Sequence, residues 1–302
     1  MSGALASLLA PVIEPGFFSS EDVRVAILVG AVVAIVSGTV GVFTVMRGQS
    51  FAGEALGDIN TTGGSAALLA GVAPLWGFVV VGVVAAAAMD LIGIQRPRGR
   101  DLATGIVLGV GLGVAALLLY LVTTLRNTTG ATVTILFGSV FTVPASTLPL
   151  VALLGAAALA IVALLYRPLL LSSVSAEMAA ARGIPVRALG AAYLLAMAVA
   201  VALAAFTIGT ILSTALLVGP AASALRLTRR PGLAIAVAAA IGIAAMWLGE
   251  LLAYDSFYWP PVGTGQPVGT GWPVSFFVVT LIFLAYLCSG LPALLRRRSG
   301  AG

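Results

Sequence analysis

Apolar residues fall along this chain in long blocks separated by short polar or arginine-bearing breaks, not in the two-residue alternation of a half-buried strand. The blocks cover residues 23–46, 52–72, 74–94, 102–124, 147–166, 187–206, 208–226, 232–253 and 272–293. A helix needs about 20 mostly apolar residues to cross the hydrocarbon core. The pattern therefore predicts an all-α fold, a polytopic transmembrane bundle of about eight to nine spans, in which the second block is unusually polar. In this reading residues 1–22 are an extracytoplasmic N-terminal segment, 23–293 the transmembrane domain and 294–302 a basic cytoplasmic tail.

Composition agrees. The 302 residues are 61% hydrophobic and 8% charged, whereas a soluble domain carries about a quarter of its residues as charges. The surroundings of most of the chain must themselves be apolar. All the basic residues are arginines, and the chain has neither lysine nor histidine. They cluster in the breaks between blocks, so the net charge of +5 reports orientation and not a nucleic-acid surface. With the N-terminus outside, thirteen arginines, Arg47, Arg96, Arg98, Arg100 and Arg296 among them, fall on the inner side. Only Arg24 and Arg126 fall on the outer side, the expected positive-inside bias. Trp76, Trp247, Trp259 and Trp272 then form an outer aromatic belt. The predicted placement is a multi-pass protein of a bacterial inner (plasma) membrane, N-terminus out and C-terminus in. No cleavable signal peptide is expected, because the first 22 residues lack a basic leader and carry Glu14, Glu21 and Asp22.

Several classes drop out. The single cysteine, Cys288, lies in an apolar block, so neither a disulfide framework nor a cysteine metal site is available. Without lysine there is no phosphate-binding loop, and without histidine no Ser-His hydrolase. A membrane enzyme is the least expected class, and no permanently bound cofactor is expected.

Ten acidic residues remain to be placed. Asp90 and Glu250 lie near the ends of their blocks, within reach of water or headgroups. Glu54 and Asp58 differ. They sit one helical turn apart inside the second block, on one face, with side chains about 5–6 Å from each other. A carboxylate near mid-membrane costs about 2.5–3.5 kcal/mol on insertion scales, and the pair is set among Gly57, Asn60, Thr61, Thr62 and Ser65. Such a face lines something wet or meets another subunit, and a divalent cation would stabilise the pair through oxygen ligation. The alternative is that both groups lie solvated near the inner interface and bind nothing.

Three further features concern helix architecture. Gly105, Gly109 and Gly113 recur every four residues and predict close helix packing in the bundle. Gly219-Pro220, inside the seventh block, predicts a kink. Residues 125–144 start too polar to span and are expected as a re-entrant or outer surface helix. In the inner loop 172–189, Ser175 can cap a short helix with Glu177 in its first turn, Ala181 and Arg182 at its end, and Gly183 as a stop before Pro185. That helix, near 175–183, either lies on the membrane surface or docks into a partner.

Five motifs in order resemble the permease subunits of the zinc-, manganese- and iron-type ABC importers, from about Leu28 to Leu287. They are Arg47-Gly-Gln-Ser-Phe-Ala-Gly53-Glu54-Ala-Leu56, Asp101 through Ile106, Leu136-Phe-Gly-Ser139, Glu177 through Pro185, and Gly209-Thr-Ile-Leu-Ser-Thr-Ala-Leu-Leu-Val-Gly-Pro220. The resemblance implies a cytoplasmic ATP-binding subunit docked on Ser175, Glu177, Ala181, Arg182 and Gly183, which would make residues 175–183 a coupling helix. It also implies a second permease copy, identical or not, and an extracytoplasmic metal-binding protein. The family's metal-binding acid and histidine would fall on Glu54 and Asp58. Here the histidine is replaced by Asp58, and an all-oxygen pair leans toward manganese or iron(II) over zinc. The alternatives are an ABC permease for a metal chelate or siderophore, which a wide, carboxylate-free pathway would favour, and an ion-coupled secondary carrier relaying protons through Glu54 and Asp58, which needs no ATP-binding partner.

Overall fold

A computed structural model describes residues 20–93, 100–126, 129–138, 140–257 and 271–299. Trp259, Arg96, Arg98 and the first 19 residues lie outside the described residues. Among the described residues all regular structure is helical. In chain order the helices are α1 (Glu21–Met46), α2 (Ser50–Ala70), α3 (Pro74–Ile92), α4 (Arg100–Arg126), α5 (Thr129–Phe137), α6 (Leu148–Leu164), α7 (Tyr166–Val174), α8 (Ala176–Ala181), α9 (Val186–Ile208), α10 (Ser213–Leu227), α11 (Pro231–Ser256) and α12 (Val274–Ser299). Two single 3-10 turns, Val140–Thr142 and Ala145–Thr147, join α5 to α6.

Each predicted block coincides with a helix, namely α1 to α4, α6 and α9 to α12. Among the described residues six helical stretches are long and apolar enough by themselves to cross a membrane: Glu21–Met46, Pro74–Ile92, Asp101–Leu125, Ala145–Leu164, Val186–Ile208 and Pro231–Ser256. Of the others, α2 is too polar, α10 has only 15 residues, and α12 carries a shorter apolar stretch, Val274–Gly290. Helix α12 runs on to Ser299, so the arginine-rich tail predicted to begin at 294 starts as helix.

Helices α1 and α9 form the centre. About 67% and 72% of their apolar windows are buried, and both are apolar all round, as enclosed helices must be. Phe43, Met197, Leu203 and Leu216 are fully covered between them and α10. Helix α2 is held by close backbone approach instead of bulk. Gly63 and Gly77 face each other across α2 and α3 with no room for a Cβ on either, the small-residue contact that lets membrane helices associate without apolar mass.

Two expectations change. Helix α4 is peripheral, with 11% of its apolar window buried; it packs on α2 and touches α3 and α5 only lightly. Gly111 is its glycine at the α2 contact, where a Cβ would meet Ile59 at 2.6 Å. Gly105, Gly109 and Gly113 lie on the outward side, and nothing from this chain comes within 4 Å of where their Cβ atoms would be. The predicted close packing of that stripe within the bundle is therefore corrected, because no helix of this chain occupies the space opposite. The seventh block, expected as one span over 208–226, is also interrupted. Helix α10 continues through Gly219, packed against Ile282 of α12, and Pro220. The interruption lies at 209–212, between α9 and α10.

Within the stretch 125–144 the described residues after α4 include α5 and the turn Val140–Thr142, with Ile135 buried inside the protein. The end of α5 meets the α9–α10 interruption. Thr210 N–H donates to the Ile135 carbonyl at 3.1 Å and Ile211 N–H to that of Leu136 at 3.3 Å. Gly138 (φ +72°) and Gly209 (φ +88°) cross backbone to backbone at this point, and both need the left-handed conformation that glycine reaches without strain. Irregular backbone at membrane depth is tolerated where protein satisfies it, and here two broken segments satisfy each other.

Candidate functional site

Glu54 and Asp58 lie on the same side of α2, as their spacing requires, Glu54 exposed and Asp58 half-buried. Their neighbours show how that side is framed. At one edge Gly57 faces the Ser213 and Thr214 hydroxyls of α10, where a Cβ would stand 2.6 and 3.4 Å from the oxygens. Thr61 donates to Thr210 Oγ1 at 2.8 Å, and Ser213 donates to the Thr210 carbonyl at 2.9 Å. At the other edge Ile59 abuts Gly111 of α4, and Thr62 donates to the Gly111 carbonyl at 2.8 Å. The carboxylates therefore stand between α10 and α4, on a strip of α2 that no other helix among the described residues covers. A seam of hydroxyls runs from that strip to the α9–α10 interruption.

The donors are all oxygens. Carboxylate and hydroxyl oxygens suit hard or borderline divalent ions, and no imidazole or thiolate is at hand to favour zinc or copper(I). Among the described residues no three Asp, Glu, Cys or His side chains converge to hold a metal ion. One chain thus offers two carboxylates, fewer ligands than the six or so a hard cation takes.

The inner-loop helix has the predicted construction. Ser175 caps α8, its Oγ accepting from Met178 N–H at 3.1 Å, and Glu177 sits in the first turn. Gly183 follows the helix with φ +77°. Ala179 is buried, whereas Glu177, Met178, Ala181, Arg182 and Gly183 are exposed and Val174 is 79% exposed. One side of α8 is anchored and the other presents a mixed apolar and charged surface. Asp101 is exposed in the first turn of α4, where its charge favours the positive helix end.

Two polar groups lie elsewhere than the block pattern placed them. Glu250 does not reach water at the end of its block. It is fully buried against Gly30 of α1, and neither carboxylate oxygen has a hydrogen-bond partner. Asn60 is likewise fully buried with its amide unpartnered, facing Gly82 of α3. Acidic position within a block could not locate Glu250, because burial is set by the neighbouring helix and not by distance from the block's end.

Residues 19–285 match the ABC 3 transport family. The chain belongs to that family. It is 32% identical over 226 residues, 75% of each chain, to the manganese transport system membrane protein MntC of Halalkalibacterium halodurans. It is 26% identical over 239 residues to the high-affinity zinc uptake system membrane protein ZnuB of Haemophilus influenzae, covering 78% of this chain and 90% of the relative. Among solved structures, PsaBC from Streptococcus pneumoniae in complex with Fab superposes with a TM-score of 0.75 at 25% identity, over 91% of this chain and 93% of that one. The motif resemblance to metal ABC importer permeases therefore holds, and the chain is a multi-pass membrane permease of the ABC 3 family.

Proposed function

We propose that this ABC 3 permease moves a divalent metal ion into the cell, manganese or iron(II) in preference to zinc, as the membrane subunit of an ATP-driven importer. The observation that carries the reading is the Glu54–Asp58 pair on the uncovered strip of α2, in a chain whose relatives include manganese permeases. Carboxylates at that depth are expensive unless a cation, water or a partner compensates them. A second permease copy set against this strip would complete an oxygen-ligand set that one chain leaves short, and the open glycine stripe of α4 offers a second copy a close-approach surface. The metal ion is cargo, and no group is held permanently.

The exposed surface of α8 is the docking site for a separate cytoplasmic ATP-binding subunit, which supplies hydrolysis, while an extracytoplasmic metal-binding protein delivers the ion at the outer face. All nine long helices cross the membrane in this reading, with the N-terminus outside. Alternating access follows from movement of α8 relayed to the helices that frame the seam. The test is radiolabelled manganese uptake by the reconstituted complex. Replacing both Glu54 and Asp58 with Ala is expected to lower uptake by roughly tenfold or more, as loss of metal ligands does, while the complex still assembles. Wild-type uptake by the double variant removes the site.

A further inference from the structure

The structure points to Arg47 as a positioning residue that couples the α8 region to the carboxylate helix; we infer that it makes α2 follow α8. This rests on the importer reading for the roles of α8 and of Glu54 and Asp58, but its evidence is separate.

Only residues 47–49 separate α1 from α2. Helix α1 stops in a Schellman motif: Gln49 N–H donates to the Thr44 carbonyl at 2.9 Å and Gly48 N–H to that of Val45 at 3.1 Å, with Gly48 at φ +63°. So tight a joint transmits displacement instead of absorbing it, and Glu54 lies little more than one helical turn beyond. From the joint, Arg47 Nη1 donates to Ser172 Oγ at 2.8 Å and Nε to Gln49 Oε1 at 3.4 Å. Its guanidinium carbon lies 5.3 Å from the centroid of the Tyr193 ring.

Those two partners flank α8 in the chain. Ser172 is in α7, three residues before the Ser175 cap, and Tyr193 is in α9, in its second turn. A single side chain therefore touches both arms of the hairpin that carries the docking helix. The contact is well seated. The buried Tyr193 hydroxyl is hydrogen-bonded to Thr44 Oγ1 at 2.6 Å and donates to the Val40 carbonyl at 3.0 Å. Phe43 meets Tyr166 of α7 edge-on at 5.8 Å and Tyr193 at 6.4 Å. The planar fork of arginine can hold the hydroxyl and lie near the ring at once, which the point charge of lysine cannot.

The experiment uses the complete complex with its ATP-binding subunit, in a Cys288→Ser background with Phe51→Cys as a reporter on the exposed strip of α2. Thiol labelling is followed with and without ATP and vanadate. The labelling rate is expected to change by roughly fivefold on trapping, a typical coupling magnitude. Arg47→Met should abolish that change while complex yield and basal ATP hydrolysis persist, with Arg47→Lys recovering only part of it. Ser172→Ala, which leaves the charge in place, should weaken the response, and it decides the question if the Arg47 variant fails to assemble. A full response in Arg47→Met, a full response in Ser172→Ala where the Arg47 variants fail to assemble, or no response in the parent overturns the inference. Loss of the labelling response needs no metal, so it is distinguishable from failure of the Glu54–Asp58 site, which the uptake assay reads.

Discussion

Helix α1 meets α11 at a contact that one methyl group should disturb, and the size of the disturbance can be worked out. Opposite Gly30 lies the enclosed, unpartnered carboxyl of Glu250. A Cβ at position 30 would stand 2.5 Å from Glu250 Oε1 and 3.1 Å from Met246 Cε. Gly30→Ala must therefore push both side chains aside in a packed interface, which costs about 1–3 kcal/mol. At about 2–4 °C per kcal/mol, the figure for chains of 150–250 residues, the melting midpoint should fall by about 2–12 °C. Glu250→Ala should behave differently. It forfeits the burial of one methylene, about 0.8 kcal/mol, but removes an unpartnered carboxyl whose burial costs about 1–3 kcal/mol, so it should be neutral or mildly stabilising.

In the double variant the new methyl at position 30 enters space the carboxyl has left, so the cost of Gly30→Ala should disappear and the cycle should show about 1–3 kcal/mol of interaction. Thermal unfolding of the purified permease in detergent, followed by tryptophan fluorescence at one scan rate, measures all four proteins. Additive effects within about 0.5 kcal/mol, or a neutral Gly30→Ala, would refute the reasoning.

Two shorter predictions bear on the site. Asp58→His restores an imidazole beside Glu54 and should raise the zinc-to-manganese uptake ratio by roughly fivefold; an unchanged ratio would show that residue 58 does not touch the cargo. Gly109→Cys in the Cys288→Ser background should form a disulfide-linked permease dimer on mild oxidation in the membrane, whereas Val84→Cys, 61% exposed on α3, should not. Equal cross-linking from the two positions would discard α4 as a contact between copies.

What the sequence made legible follows from which interactions are local. The positions of most blocks, the Ser175 cap and the Gly183 stop depend on a few consecutive residues, and these stand where the pattern predicted, the start of the seventh block excepted. The shared side of Glu54 and Asp58 follows from 3.6 residues per turn alone. Contacts between helices were not legible in the same way. The glycines at 105, 109 and 113 carry the pattern of a packing face, but the chain's own fold leaves that face open and uses Gly111 instead. The interruption at 209–212 was hidden because Pro220 offered a more conspicuous break nearby, and only the carbonyls of α5, distant in sequence, explain why the backbone opens at Gly209. Glu250 and Asn60 were misplaced or passed over for the same reason: their burial belongs to partners on other helices.

The distribution of burial bears on where motion is possible. Helices α1 and α9 lock together through Tyr193, Thr44 and the apolar core around Phe43, and a helix enclosed on all sides has nowhere to go without breaking that core. The carboxylates are not on either of them. They are on α2, which is held by glycine contacts and hydroxyl pairs and is flanked by the thinly buried α4. Hydroxyl pairs within a membrane contribute about 0.6 kcal/mol each on average, so Thr61–Thr210 and Thr62–Gly111 can be exchanged for other partners at small cost. The strip that carries Glu54 and Asp58 is therefore placed where the fold can rearrange without losing its centre, and the Arg47 joint ties it to that centre at one end. An ion path needs such an arrangement, because a site buried in the α1–α9 core could bind a cation but could not be opened to one side and then the other.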